Sequence, residues 1–182
     1  MYGGGTAANG NKFLWRTCCD SSGSARNEKP GRVIQISFIA GMRSNPGLGL
    51  YNASKFALKG LSEALALERK HLNIHVTLIE PGPFRTDWAG TSSVRSGKII
   101  KEYDSVAGER IRIINDYNGK QPGDPVKAAK AIISVVNSDS PPLRLVLGKI
   151  ELDGIKDKIM SAEKEMSSWE KVSLNTEFDE EV

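Results

Sequence analysis

Tyr51 and Lys55 are the residues whose types and spacing could do chemistry. They stand four apart at the start of the strongest helical pattern in the chain, so one helical turn places the phenol and the ammonium on the same face. A free tyrosine titrates near pH ~10 and exchanges protons poorly at neutral pH. A neighbouring cation favours the phenolate and so lowers the tyrosine pKa. The pair is therefore suited to general acid–base catalysis on an alcohol or carbonyl oxygen.

The elements that must position this pair alternate between apolar strands and helices. A β-branched run, Val33–Ile39, predicts the first strand, and a helix follows from about Tyr51 to His71. Further patterns predict strands at 74–80 and 143–147 and helices at 98–117, 125–137 and after Gly148. Because these strands are continuously apolar, they predict a parallel sheet in an α/β fold. Ligands of such sheets bind beyond the carboxyl ends of the strands, where Phe38, Tyr51 and Pro81 fall.

Three motifs in this order resemble the short-chain dehydrogenase/reductase family. The segment from Tyr51 to Lys55 looks like its Tyr-x-x-x-Lys signature, and the strand ending at Gly41 lies where the family has Ser-x-x-Gly. The segment from Pro81 to Thr86 is similar to its Pro-Gly-x-x-x-Thr nicotinamide loop. The resemblance runs from about Gly31 to at least Trp169. It implies a partial doubly wound, Rossmann-like parallel sheet with flanking helices.

The resemblance also implies roles for individual residues. Tyr51 would exchange a proton with an alcohol or carbonyl substrate while hydride passes to or from the nicotinamide, and Lys55 would lower the tyrosine pKa and bind the nicotinamide ribose. The cofactor would be NAD(P), either NADP(H) or NAD(H), with no metal. The residues implied to bind it are Tyr51, Lys55, Pro81, Gly82, Phe84 and Thr86. The Met42–Leu50 and Asp87–Tyr117 segments would form the substrate wall, with Trp88 as part of a lid.

Two departures from the family pattern bear on activity. Counting back from Gly41 puts Phe38 at the position of the family's catalytic serine, and Ser37 next to it should point to the opposite face of the strand. Loss of one such donor costs ~10²–10³ in rate. Residues 1–31 cannot encode the family's N-terminal nucleotide-binding half. We therefore expect that half to be missing, cofactor binding to be weakened, and the first strand to be an open edge.

These observations leave three hypotheses. The first is a short-chain dehydrogenase/reductase-type oxidoreductase, impaired by truncation and by Phe38. The second is a catalytically inactive remnant that acts as an interaction module through helix 51–72. The apolar surface of that helix is wider than one stripe, and family members commonly pair through the equivalent helix, which implies a homo-oligomer. The third is an incomplete gene product in which residues 1–31 are read from a wrong exon or frame.

Composition excludes several other classes. The 182 residues carry a net charge of +3 and 39% hydrophobic residues, with no run of Lys/Arg and aromatics that would indicate a nucleic-acid surface. No stretch approaches the ~18 apolar residues of a membrane span. The adjacent Cys18 and Cys19 favour free thiols in a reducing compartment, so we expect a cytoplasmic protein. His71 and His75 straddle a helix–strand junction and predict no metal site.

The domain organisation follows from the same patterns. Residues 1–31 are rich in Gly, Ser and Asn and predict a disordered or non-homologous leader. Residues 32–174 carry the partial Rossmann-like domain, and residues 175–182 form an acidic tail.

Overall fold

The computed structural model describes residues 31–90 and 100–178, so the predictions for the leader, for much of the 90–97 loop and for the end of the acidic tail lie outside the described residues. Three parallel strands form one sheet in the order β1-β2-β3. These strands are β1 (Gly31–Ile36), β2 (Ile74–Pro81) and β3 (Arg144–Leu147). The α-helices are α1 (Gly49–Arg69), α2 (Glu109–Asp116), α3 (Pro125–Val136) and α4 (Lys149–Leu174). The sheet and its helices confirm the predicted α/β, partial Rossmann-like fold.

The central strand β2 forms the core of the described domain. Every residue from Val76 to Glu80 is buried, and Leu78 is wholly inaccessible. A strand with a parallel neighbour on each side and helices over the sheet should be apolar on both faces, as the sequence pattern indicated. Thr77 is accommodated there because its hydroxyl donates to the carbonyl of Pro142 at 2.7 Å.

The first strand ends earlier than predicted. Its ladder with β2 stops at Ile36, the Ser37 N–H still donates to the carbonyl of Ile79 at 2.8 Å, and a 3₁₀ turn then covers Ile39–Gly41. A Cβ placed on Gly41 would lie 2.9 Å from the carbonyl oxygen of Lys55. Because α1 passes this close, only a glycine fits, and the chain must turn there instead of extending the strand.

The N-termini of α3 and α1 are stabilised by different side chains. Asp124 caps α3 by accepting the Val126 N–H at 2.8 Å, and Pro125 occupies the first helical position, as the sequence predicted. The start of α1 is held instead by Asn52, a buried residue whose side-chain amide donates to the carbonyl of Asn45 at 3.1 Å. This bond fixes the loop before α1 and, with it, the first turn that carries Tyr51.

Glu80 is the most unusual residue of the core. Its side chain is 0% exposed, and neither carboxyl oxygen has a hydrogen-bond partner among the described residues. Burial raises the pKa of Glu80, and the positive charges of Lys59 and Arg144 only partly offset this effect. A buried carboxyl group in this setting favours its neutral form because ionisation without a partner is costly.

Replacing Glu80 should therefore change how stability depends on pH. The folded protein holds the Glu80 proton above the ordinary glutamate pKa of roughly 4.3, whereas the unfolded chain releases it, so the free energy of unfolding falls as pH rises through that range. In the Glu80→Gln variant this decline should disappear. The difference between variant and wild type should grow by about 1.4 kcal/mol for each pH unit within the range between the two pKa values.

Urea unfolding at several pH values between 5 and 8 measures this effect. Glu63→Gln is the control, since Glu63 forms a partly exposed ion pair with Arg144 and such pairs contribute about 0–1 kcal/mol. Parallel pH profiles for wild type and Glu80→Gln would show that Glu80 is already ionised in the folded protein.

Candidate active site

The carboxyl ends of the three strands meet along one edge of the sheet because the strands are parallel. There the Gly82 N–H donates to the carbonyl of Leu147 at 2.9 Å, joining the ends of β2 and β3. A Cβ on Gly82 or on Gly148 would clash with the side chain of Glu151, a buried residue in the first turn of α4. The two glycines therefore make room for a carboxyl group between the strand ends.

Three aromatic rings meet at this edge: Phe38 after β1, Tyr51 in the first turn of α1, and Trp88 in the 3₁₀ turn Asp87–Ala89. We call them the aromatic cluster. The ring centroids of Phe38 and Tyr51 are 5.7 Å apart, and Trp88 lies 5.5 Å from each of the other two. The edge-on and stacked arrangements are those that aromatic pairs prefer. The cluster surrounds Tyr51 with apolar surface.

The electrostatics of Tyr51 follow from this enclosure. Burial raises the pKa of Tyr51 far above its usual range, and a hydrogen bond with the Trp88 side chain, whose indole N–H can only donate, offsets part of the rise. The ammonium of Lys55 lies over the Tyr51 ring, 5.6 Å from its centroid, and burial lowers the Lys55 pKa. The sequence led us to expect that Lys55 lowers the tyrosine pKa. In the structure the opposite shift prevails because loss of water around the hydroxyl dominates.

The serine next to Phe38 does not face Tyr51. Ser37 is only 4% exposed, and its hydroxyl oxygen lies 3.2 Å from the place that a Cβ on Gly41 would occupy. That hydroxyl has no hydrogen-bond partner within the described part of the chain. Phe38 is thus the residue that the strand end presents to Tyr51, and Ser37 is buried behind it.

The segment from Pro81 to Thr86 is held by a neighbouring loop. Phe84 forms an isolated parallel bridge with Gly123, whose carbonyl accepts the Arg85 N–H at 2.9 Å. The Arg85 guanidinium donates to the carbonyl of Gln121 at 3.0 Å. The Thr86 hydroxyl accepts the Trp88 N–H at 3.5 Å, which starts the turn that brings Trp88 onto Tyr51. This segment and the aromatic cluster therefore form one connected surface.

The structure connects three of the six predicted site residues, Tyr51, Lys55 and Thr86, but the cavity near the start of α1 is not lined by them. Tyr51 and Lys55 share one face of α1, and Trp88 links them to Thr86. An open depression of about 660 Å³ lies on the other side of the helix start, and neither Tyr51 nor Lys55 lines it. Glu151 was not predicted from the sequence. The paired glycines at the ends of β2 and β3 were the signal that a side chain from elsewhere fills the space between them.

Two further observations concern other kinds of site. Across residues 31–90 and 100–178, no group of three or more His, Cys, Asp or Glu residues is placed to hold a metal ion. Of the helices in these ranges, none is long and apolar enough to span a membrane.

Comparison with known proteins identifies relatives of this chain. A family model described as short chain dehydrogenase matches residues 17–96. The oxidoreductase BOA17 of Botryotinia fuckeliana is 34% identical over 151 residues, which cover 82% of this chain and 54% of the relative. The uncharacterized oxidoreductase C162.03 of Schizosaccharomyces pombe is 37% identical over 149 residues, covering 81% and 50%. The chain thus spans about half the length of these curated relatives.

A solved structure agrees with the sequence matches. The crystal structure of a short-chain dehydrogenase from Streptomyces avermitilis is 37% identical, with a TM-score of 0.73, and the match covers 81% of this chain and 53% of that one. The matched sequences and the shared parallel sheet point to the same family as the Tyr51–Lys55 helix. The chain belongs to the short-chain dehydrogenase/reductase family and covers part of that family's domain.

Proposed function

We propose that these residues form the nicotinamide and substrate side of an oxidoreductase that transfers hydride between NAD(P) and an alcohol or carbonyl compound. The observation that carries the proposal is the meeting of Tyr51, Lys55 and Trp88 at the strand ends, beside the Pro81–Thr86 segment. Strand ends of parallel sheets are the usual ligand site of such folds. The substrate is a small molecule, and its identity is left to experiment.

The donor and acceptor groups at this edge fit the nicotinamide half of such a cofactor. Lys55 makes no ion pair with any described residue, so its ammonium can donate to ribose hydroxyls. The exposed Thr86 hydroxyl offers a further polar contact, whereas the Gly82 N–H and the Pro83 and Phe84 carbonyls already bond to Leu147, Gly123 and Thr86. The cofactor would supply the hydride. Its binding would be weak, because no described strand leads directly into a turn of several glycines that opens a helix and could hold the pyrophosphate.

Tyr51 would act as the proton donor in the direction of carbonyl reduction. Its raised pKa keeps the phenol protonated at neutral pH, so little phenolate is present to act as a base for alcohol oxidation, and the same rise makes the phenol a weaker acid than an ordinary tyrosine. Because the Trp88 indole N–H donates to the phenol oxygen, it does not use the phenol O–H, which can donate to the substrate oxygen. Because Phe38 cannot donate a hydrogen bond to that oxygen, the rate would be lower by ~10²–10³ than in an enzyme with such a donor.

Measuring NADH or NADPH oxidation with a panel of aldehydes and ketones tests the proposal. Tyr51→Phe should lower the rate by ~10²-fold or more, since general acid catalysis contributes about that much. Lys55→Met should raise the cofactor KM and lower kcat. Lys70→Met, which removes an exposed lysine just beyond α1, should leave both unchanged. Wild-type activity that is absent, or that survives Tyr51→Phe, would refute this function.

A second function, an interaction module built on helix 51–72, is favoured by the outer face of α1. An exposed row of small and apolar side chains runs along it at helical spacing, comprising Ala53, Phe56, Ala57, Leu61, Ala64 and Leu67. Leu67 is 78% exposed. Rows of this kind mark contact surfaces. We propose that a second copy packs on this row to form a homo-oligomer, in a cytoplasmic protein.

Light scattering on wild type and Leu61→Asp checks the role of this row. A buried aspartate at the centre of an apolar helix interface is strongly unfavourable, so the variant should have half the mass of the wild type. Lys70→Asp, at the exposed end of the same segment, should keep the wild-type mass. A wild-type mass equal to one chain, or one unchanged by Leu61→Asp, would contradict the proposed pairing.

A further inference from the structure

The second half of α4 extends beyond the sheet without cover from the described residues. Within this helix only Glu151 and Ile155 are buried, and every residue from Glu163 to Leu174 is exposed. Long helices in globular proteins owe most of their stability to packing of an apolar face. The helix nevertheless keeps an apolar pattern far past its contact with the sheet.

That pattern repeats every seven residues. Leu152, Ile159 and Met166 fall on one line and are 42%, 55% and 67% exposed. The side of the helix next to this line faces its own domain: Ile155 is buried there, and the Lys158 ammonium lies 5.3 Å from the centroid of the Phe56 ring of α1. Apolar residues seven apart lie along one face of a helix and can pack against a second helix. Leu152, Ile159 and Met166 therefore form an exposed apolar seam beside the domain. The seam is long enough for a second helix to pack along it.

The charges along this seam specify its partner. Lys156 and Glu163 are exposed on the same side of α4, three residues before and four after Ile159. If a second copy of α4 runs antiparallel and crosses at Ile159, Lys156 of each copy lies opposite Glu163 of the other. By two-fold symmetry this attraction occurs twice. Leu152 then lies opposite Met166 of the second copy, and the two Ile159 side chains meet at the axis.

A parallel pairing is less favourable. In register, it sets Glu165 of one copy near Glu170 of the other, and this repulsion offsets the attraction between Lys158 and Glu163, because these four residues hold the flanking positions that meet in a parallel pair. Like charges at such positions repel, whereas complementary ones set the orientation of paired helices. In the antiparallel arrangement the facing residues, Lys156 and Glu163, have opposite charges and attract.

We propose that α4 is a self-association surface on which two copies of the chain pair antiparallel, centred on Ile159 and fastened by Lys156 and Glu163. This surface borders the α1 row, where Lys158 lies over Phe56, and it does not rest on the catalytic proposal. Its occupant is a second copy, because the same helix supplies both halves of the complementary charge pattern.

A charge-swap experiment tests the proposal on the full chain. Sedimentation equilibrium of wild type, Lys156→Glu, Glu163→Lys and the double variant gives the dissociation constant of the association step. Each single variant should weaken association by about tenfold, since two attractions become two repulsions. The double variant should return to within about threefold of the wild-type constant because both pairs re-form with reversed sign. Lys164→Glu, an equal charge change on the opposite side of α4, should have no effect.

The same measurements in a Leu61→Asp background exclude a contribution from the α1 row, and circular dichroism confirms that each variant is folded. The proposal is overturned if this background leaves only monomers. It is also overturned if the single variants associate like wild type, or if the double variant fails to recover. Recovery by the double variant cannot arise from a partner of other composition, so it identifies a second copy.

Discussion

The close packing of α1 against the turn after β1 is the constraint on which the rest of the site depends. The carbonyl of Lys55 approaches Gly41 so closely that any side chain at that glycine would meet it. This contact fixes the height of α1 over the sheet, and the bond from Asn52 to Asn45 fixes where the helix begins. Together they place Tyr51 beside the end of β1, where the ring of Phe38 lies.

The chemistry of the site follows from that placement. Next to the stacked rings of Phe38 and Trp88, the Tyr51 hydroxyl loses water, and its pKa rises although a lysine is near. The lysine lies over the ring and is itself partly desolvated. The raised tyrosine pKa and the lowered lysine pKa both favour the uncharged side chains, so Tyr51 keeps its proton. The indole N–H of Trp88 donates to the Tyr51 oxygen and does not use the phenol O–H.

Local patterns predicted the elements and the order of the site residues. Three predictions depended only on residues close together in sequence: the apolar run at β2, the Asp124-Pro125 cap and the helical spacing of Tyr51 and Lys55. The structure contains the strand, the capped helix and the helix that these patterns predicted. The early end of β1, the burial of Glu151 between Gly82 and Gly148, and the position of Lys55 over the Tyr51 ring were not predicted. Each depends on how closely distant segments approach, which local spacing does not determine.

The claim that the strand ends form a nicotinamide site can be tested by saturation-transfer difference NMR with NADH and NADPH, a method suited to weak binding. In the proposed site, Lys55, Thr86 and the Gly82–Phe84 segment would contact the nicotinamide and its ribose. We therefore predict stronger saturation transfer to the nicotinamide protons than to the adenine protons, and its loss in Lys55→Met. Transfer confined to the adenine protons, or none from the folded wild-type protein, would contradict the account.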